Sequence, residues 1–236
     1  MTRKIKWGII STAKIAETDL IPAIKKSNNS ELVAIASRNK DKARKFSKKN
    51  KVNKFYSSYK KLYEDETIDV IYNPLPNHLH VNSTINAINN NKHVLLEKPI
   101  TLKSKDVNLI KKAANKKNKI VKEAFMVRHH SQWQWVKKYV DSKKIGKING
   151  ITTLFSYKNL DPKNIRNIKK FGGGGLWDIG CYAIVISRYL MGKEPKRVVA
   201  EANFDKNFKT DNLATAILDF GGAYSNFIVS TCSTVS

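Results

Sequence analysis

Four short stretches of this sequence combine residue types that could move a proton or hold a phosphate. Leu95-Leu96-Glu97-Lys98-Pro99 sets a carboxylate and an ammonium directly after an apolar run. If that run is a buried strand, the charged pair stands where open α/β sheets bind ligands; a salt-bridged strand end would read the same way. Trp177-Asp178-Ile179-Gly180-Cys181-Tyr182 follows the glycine run 172–175. On a helix, Asp178 and Tyr182 are four residues apart and share a face. Ser11-Thr12-Ala13-Lys14-Ile15-Ala16 follows an apolar run and has the small residues of a pyrophosphate-binding turn, with serine and alanines where glycines are usual. Alone it fits equally a small-residue turn packing helix on strand. Finally, Ser37-Arg38 stands where an NAD site would place an acidic residue for the ribose hydroxyls. A hydroxyl followed by a guanidinium suits a 2′-phosphate, because arginine presents a planar fork of donors. His129-His130 has no carboxylate or cysteine at metal-ligand spacing, and no metal is expected.

The elements that must position these residues change character along the chain. Strands are expected at Lys4–Ile10, Glu31–Ser37, Asp69–Asn73, His93–Leu96 and Ile120–Phe125. Helices fall between them, at Ala13–Lys26 with a break at Pro22, Asp41–Asn50, His78–Asn90 and Ser104–Lys117. Such alternation implies a doubly wound parallel sheet. A helix is expected at Gln132–Ser142, a strand at Lys147–Tyr157 and a strong helix from Trp177 to Leu190, stopped by Gly192. Strand-like runs then cluster at Lys196–Phe204, Asn212–Phe220 and Ala223–Thr231, with Gly221-Gly222 as a hairpin turn. The fold class expected is therefore an α/β Rossmann domain, residues 1–122, followed by an α+β domain, residues 123–236, with a mostly antiparallel, open-faced sheet.

Composition removes other classes. With 236 residues, 41% of them hydrophobic, the chain can build a sizeable core. Two cysteines make no disulfide framework and point to a reducing, cytoplasmic setting. No apolar run approaches a membrane span, and the N-terminus lacks the pattern of a signal peptide. The net charge of +25 comes from lysines spread over the whole chain among many asparagines, which reads as a basic solvated surface rather than a specific nucleic-acid site.

Taken in order, GIISTAKIA, ASR, YNPLPNHLH, KHVLLEKP, EAFMVR and GGGGLWDIGCY resemble the Gfo/Idh/MocA oxidoreductases. The similarity is strongest to the branch of glucose–fructose oxidoreductase, NADP-dependent xylose dehydrogenases and dimeric dihydrodiol dehydrogenases, and runs from Lys6 to about Cys232. It implies hydride transfer between NADP and a carbon of a sugar, polyol or cyclic alcohol. Lys98 and Tyr182 would face the nicotinamide as the catalytic pair. A phenol with a pKa of about 10 needs a cation such as Lys98 nearby to work near neutrality. The resemblance puts Asp178, Trp177 and Arg128 at the substrate. It puts Ser11, Thr12, Ala13, Ile15, Ser37, Arg38, Pro74, Leu75, Asn77, His80, Glu97 and Lys98 at the cofactor. A trans-dihydrodiol dehydrogenase would use the same residues. Family members continue with further strands, so the second domain is expected to be truncated, and a cofactor-binding remnant without turnover is a further reading. Full-length relatives imply a homodimer or larger.

Overall fold

A computed structural model of the protein describes residues 3–233. The chain divides into two compact units, Met1–Ala124 and Phe125–Ser236.

The first unit is a six-stranded parallel sheet. Its strands are β1 (Ile5–Ile10), β2 (Ser30–Ala36), β3 (Lys54–Tyr56), β4 (Val70–Asn73), β5 (His93–Leu96) and β6 (Val121–Glu123). The spatial order is β3-β2-β1-β4-β5-β6, with β1 and β4 adjacent where the winding reverses. Consecutive strand residues serve opposite faces. Ile10, Ala34, Ala36, Ile71, Val94 and Leu96 join one buried cluster, which includes residues of α3 (Tyr59–Tyr63), α4 (His80–Asn89) and α5 (Ser104–Lys117). Ile9, Ile35 and Tyr72 join another, with residues of α1 (Ile21–Lys26) and α2 (Lys40–Lys49). A sheet buried on both faces needs apolar residues at successive positions, which is why these strands read as continuous runs. Asn39 caps α2 by accepting from the Lys42 N–H at 2.9 Å. Strand β3 and helix α3 were not expected from the sequence; three and five residues are too short to show a period. Pro22 lies in the first turn of α1, where its missing N–H loses no helical bond.

The second unit has α6 (Ser131–Asp141), α7 (Cys181–Met191) and a four-stranded sheet of β7 (Gly150–Ser156), β8 (Arg197–Phe204), β9 (Asp211–Asp219) and β10 (Tyr224–Ser230), ordered β7-β10-β9-β8. Only β7 with β10 is parallel. Gly221 and Gly222, both at positive φ, turn β9 into β10 as a two-residue hairpin requires. Ala214, Ala216, Leu218, Phe227 and Val229 point inward with Ile179 and Ala183. The other face leaves Leu154, Val199, Ile217 and Ile228 exposed. The helix expected at Trp177–Leu190 opens instead on a wide π-type turn, Leu176–Gly180, before α7, and closes at Gly192 with φ +65°.

Candidate active site

In the first unit the expected cofactor residues gather at the carboxyl ends of β2, β1, β4 and β5, four neighbouring strands. After β1 the backbone turns through Ser11 at φ +79°, a conformation normally left to glycine. The turn is held by the Ser11 N–H donating to Ala36 O at 2.7 Å and the Ser11 hydroxyl accepting from the Ala13 N–H at 3.2 Å. Thr12 and Ala13 are half-buried, Ile15 is exposed, and Ala16 is buried at the start of a π-type turn, Ala16–Leu20. Beside it, at the end of β2, Ser37 is buried and Arg38 exposed. Burial raises the pKa of the Tyr59 phenol, and the charge of Arg38 opposes the rise. The donor set fits a phosphorylated nucleotide: small residues at a strand-to-helix turn, then a hydroxyl and a guanidinium with no carboxylate at the second strand end.

The ends of β4 and β5 are cross-braced. Asn73 is fully buried, donates to Thr84 Oγ1 at 3.2 Å and accepts from the Leu75 N–H at 3.3 Å, which fixes the loop through the buried Pro74 and Leu75. Asn77 is half-buried at the start of the next turn. His80 is fully buried with its ring nitrogens 2.8 Å from Pro99 O and 2.7 Å from Leu75 O. Both are engaged, so His80 ties the two loops together. Tyr72 donates to Glu97 Oε1 at 2.5 Å, and burial raises the Glu97 pKa against the pull of Tyr72 and Lys98. Lys98 follows, half-buried, ahead of a cis bond to Pro99.

In the second unit, Asp178 and Tyr182 stand on the turn into α7. The Tyr182 ring meets Phe125 edge-on at 5.4 Å and Phe155 at 6.4 Å. Asp178 Oδ2 accepts from the Tyr157 hydroxyl at 2.5 Å and from Arg166 Nε at 2.8 Å. Burial, then the Asp178 charge, push the Tyr157 phenol far above its ordinary pKa, so it stays a donor. For Arg166 burial works against the charge, and Asp178 outweighs it. The carboxylate expected at substrate is thus already oriented by two neighbours. Trp177 is half-buried. Arg128 is exposed on a short 3-10 turn, with its guanidinium 5.7 Å from the Tyr189 ring centre.

Tyr157, Arg166 and Asp211 were missed by the sequence reading. Asp211 is buried and accepts from the Leu176 N–H at 2.6 Å, which fixes the start of the turn that carries Asp178. Nothing local in the sequence marks Tyr157 or Asp211. For Arg166 a signal existed: only seven of the 44 cationic side chains are arginine. A guanidinium amid so many lysines, six residues before the glycine run, is a candidate for work lysine cannot do.

The oxidoreductase-family model with an NAD-binding Rossmann fold, Gfo/Idh/MocA, matches residues 5–125, and that family's C-terminal domain model matches residues 133–236. The chain belongs to the Gfo/Idh/MocA family. An uncharacterised oxidoreductase of Rhizobium meliloti is 39% identical over 96% of this chain and 68% of its own length. A trans-1,2-dihydrobenzene-1,2-diol dehydrogenase of Xenopus laevis is 31% identical over 96% and 68%. A D-xylose 1-dehydrogenase (NADP(+)) of Haloferax volcanii is 31% identical over 91% and 65%. Among solved structures, a 3-ketoreductase from Actinomadura kijaniata, crystallised with NADP and TDP-benzene, superposes with a TM-score of 0.92 at 28% identity, covering 98% of this chain and 71% of that one. The first unit of this Gfo/Idh/MocA protein is accordingly an NAD(P)-binding Rossmann fold. Among the described residues no helix is long and apolar enough to cross a membrane, and no cluster of three or more His, Cys, Asp or Glu could hold a metal ion.

Proposed function

We propose that this protein is an NADP-dependent oxidoreductase exchanging a hydride between the cofactor and a sugar or related polyol, with Tyr182 as proton donor and acceptor and Lys98 as its helper. Residues 1–122 would bind the cofactor, and 123–236 the substrate and a second subunit. The carrying observation is the donor set at the end of β2, Ser37 and Arg38 without a carboxylate, within a family Rossmann unit. The bound cofactor would supply the hydride acceptor or donor at its nicotinamide. The protein's own share is then to hold the adenosine phosphate with Arg38, orient the alcohol and move one proton at Tyr182 Oη. The similarity to an NADP-dependent xylose dehydrogenase supports a sugar substrate, and the similarity to the diol dehydrogenase supports a cyclic vicinal diol as the second reading. The apolar outer face of the second sheet suits a homodimer or larger assembly, and two half-buried cysteines outside any disulfide suit the cytoplasm.

The test is Tyr182→Phe in a screen of aldoses and dihydrodiols with NADP. Cofactor binding, followed by fluorescence titration, is expected to be unchanged. Turnover is expected to fall ~10²–10⁴-fold, the usual contribution of a positioned proton-transfer group. Activity within a few-fold of the parent would remove Tyr182 from the mechanism, and a parent chain that turns over no alcohol would leave only a cofactor-binding protein.

A further inference from the structure

Arg166 is held in place by more than its ion pair. It sits in a 3-10 turn, Ile165–Asn167, whose first N–H bonds are collected by Asn164, with Arg166 N donating to Asn164 Oδ1 at 3.1 Å. The next residue, Asn167, is buried and donates from Nδ2 to Asn159 O and Asp161 O. From the other side, Gly174 N donates to Arg166 O at 2.9 Å, and a Cβ at Gly173 would lie 2.3 Å from that oxygen. The glycine run therefore lets the chain pass against the backbone of Arg166 and locks it beside the active-site turn. The side chain is fixed at Nε by Asp178 and shares an electrostatic interaction with the Tyr182 phenol.

What this leaves over is the distal edge of the guanidinium. Among the described residues the only hydrogen bond from the Arg166 side chain is the one from Nε, and the side chain keeps 43% of its surface exposed. Its two terminal nitrogens carry no hydrogen bond among the described residues, in a group whose orientation is already set at Nε. The charge around them is close to balanced, because Asp178 is 2.8 Å away. An anion placed at the fork would be attracted by Arg166 and repelled by Asp178 at similar range, so little Coulomb energy would offset its desolvation. A neutral hydroxyl oxygen suffers no such repulsion and accepts from the fork directly.

We propose that Arg166 is a substrate-contacting residue that reads a neutral hydroxyl on the carbon next to the one that reacts. This rests on the reading of Tyr182 as the proton-transfer group at the reacting oxygen: Asp178, which holds Arg166 at 2.8 Å, stands four residues before Tyr182 on the same turn and so brings the fork to the neighbouring carbon. The substrate class is then a compound with vicinal oxygens, a neutral hydroxyl standing beside the reacting one, such as an aldose. Deoxy compounds lacking that oxygen are excluded as good substrates.

The experiment compares the parent with Arg166→Gln and Arg166→Lys on a pair of compounds: the aldose with the highest NADP-coupled turnover and its 2-deoxy analogue. D-glucose and 2-deoxy-D-glucose form the first pair. In the parent, kcat/KM is expected to fall at least ~10-fold from aldose to deoxy analogue, the scale of one hydrogen bond to a charged group. Arg166→Gln is expected to lose a similar factor on the aldose, through KM, and almost nothing further on the deoxy analogue. Arg166→Lys is expected to behave like Gln, because an ammonium cannot hold Asp178 and present a fork together. A variant that merely loosened the fold would lose activity equally on both compounds, and that result overturns the proposal. So does a parent that treats aldose and deoxy analogue alike. These outcomes require a parent that turns over an aldose. A parent that turns over a dihydrodiol and no aldose overturns this proposal alone; one that turns over no alcohol overturns the oxidoreductase reading and this proposal with it.

Discussion

The two units reach their site geometry by different means. In the Rossmann unit Ser11, Ser37, Glu97 and Lys98 follow directly on strand ends, and backbone ladders place them, Ser11 N on Ala36 O and Glu97 N on Asn73 O, with side-chain braces such as Tyr72 on Glu97 added. Ser11, left-handed at φ +79°, is not a glycine and carries its strain with a hydroxyl that caps the turn. In the second unit the site lies on a turn that no strand end defines. Its position comes from side chains distant in sequence, Asp211 on Leu176 N and Arg166 and Tyr157 on Asp178, closing around glycines. Both units open their site helix with a π-type turn, Ala16–Leu20 and Leu176–Gly180, so local helix geometry is not what separates them. The lesson is that a ladder tolerates a changed side chain, whereas a clamp of side chains on bare backbone does not.

The sharpest way to break that contrast is Gly174→Ala. Gly174 has φ +122°, and a Cβ there would lie 1.9 Å from Asp211 Oδ1. Backbone strain of ~1–3 kcal/mol adds to ~1–3 kcal/mol for displacing a buried carboxylate from its N–H donors. We expect the second unit to lose ~3 kcal/mol or more, read as a lower denaturation midpoint and faster amide exchange in α7 and β9, with the protection of the Rossmann strands unchanged. Exchange within error of the parent in α7 would show that the clamp does not hold the turn.

The same contrast explains what the sequence disclosed. The order of strands and helices in the first unit, and the placing of Glu97, Lys98, Ser37 and Arg38 at strand ends, were legible because apolar runs stop abruptly and the chemistry follows at once. The strand β3 was not, because Lys54–Tyr56 is an edge piece held by pairing to β2 rather than by its own pattern. In the second unit the motif with Asp178 and Tyr182 was visible, but the residues that orient Asp178 were not. Tyr157 lies 21 positions away and Asp211 lies 35 positions from the Leu176 N–H it caps, and contacts at such separation leave no local period. His80, which the resemblance puts at the cofactor, has its ring nitrogens on the carbonyls of Pro99 and Leu75, contacts that no local pattern announces.

A second, smaller effect tests the ladder-built half. Arg38 is exposed at the end of β2 and has the Tyr59 ring as its neighbour. If it reads the 2′-phosphate, Arg38→Ala removes a charge-assisted contact worth ~1.5–3 kcal/mol from NADP and almost nothing from NAD. The ratio of the two dissociation constants is then expected to shift ~10–150-fold toward NAD, with unchanged thermal stability because no ladder bond is lost. Equal weakening of both cofactors would assign Arg38 to the surface.

The smallest expected effect is an acid response that runs in opposite directions in the two units. In the first, burial pushes Asp65 up, but hydrogen bonds from Thr67, Tyr56 and Lys54 outweigh it and hold the carboxyl down to about 2 from an ordinary 3.8. A carboxyl depressed on folding stabilises the fold above its unfolded pKa, and that stabilisation is lost as pH falls through the folded value. In the second unit burial raises the Asp211 carboxyl, and the N–H groups of Leu176, Asp211 and Gly175 only partly offset it. A raised carboxyl contributes with the opposite sign: its contribution is fully present below the unfolded pKa and is lost as pH rises through the folded one. Between about pH 5 and pH 2, therefore, Asp65 withdraws up to ~2 kcal/mol from the Rossmann unit while Asp211 withdraws nothing from its own. Amide exchange across that range should rise first in the segment around α3 and β4, and Asp65→Asn should abolish the pH dependence of that rise while lowering protection at pH 7. Parallel loss of protection in both units, insensitive to Asp65→Asn, would mean that general charge repulsion in this strongly basic chain, not the buried carboxyls, governs its acid stability.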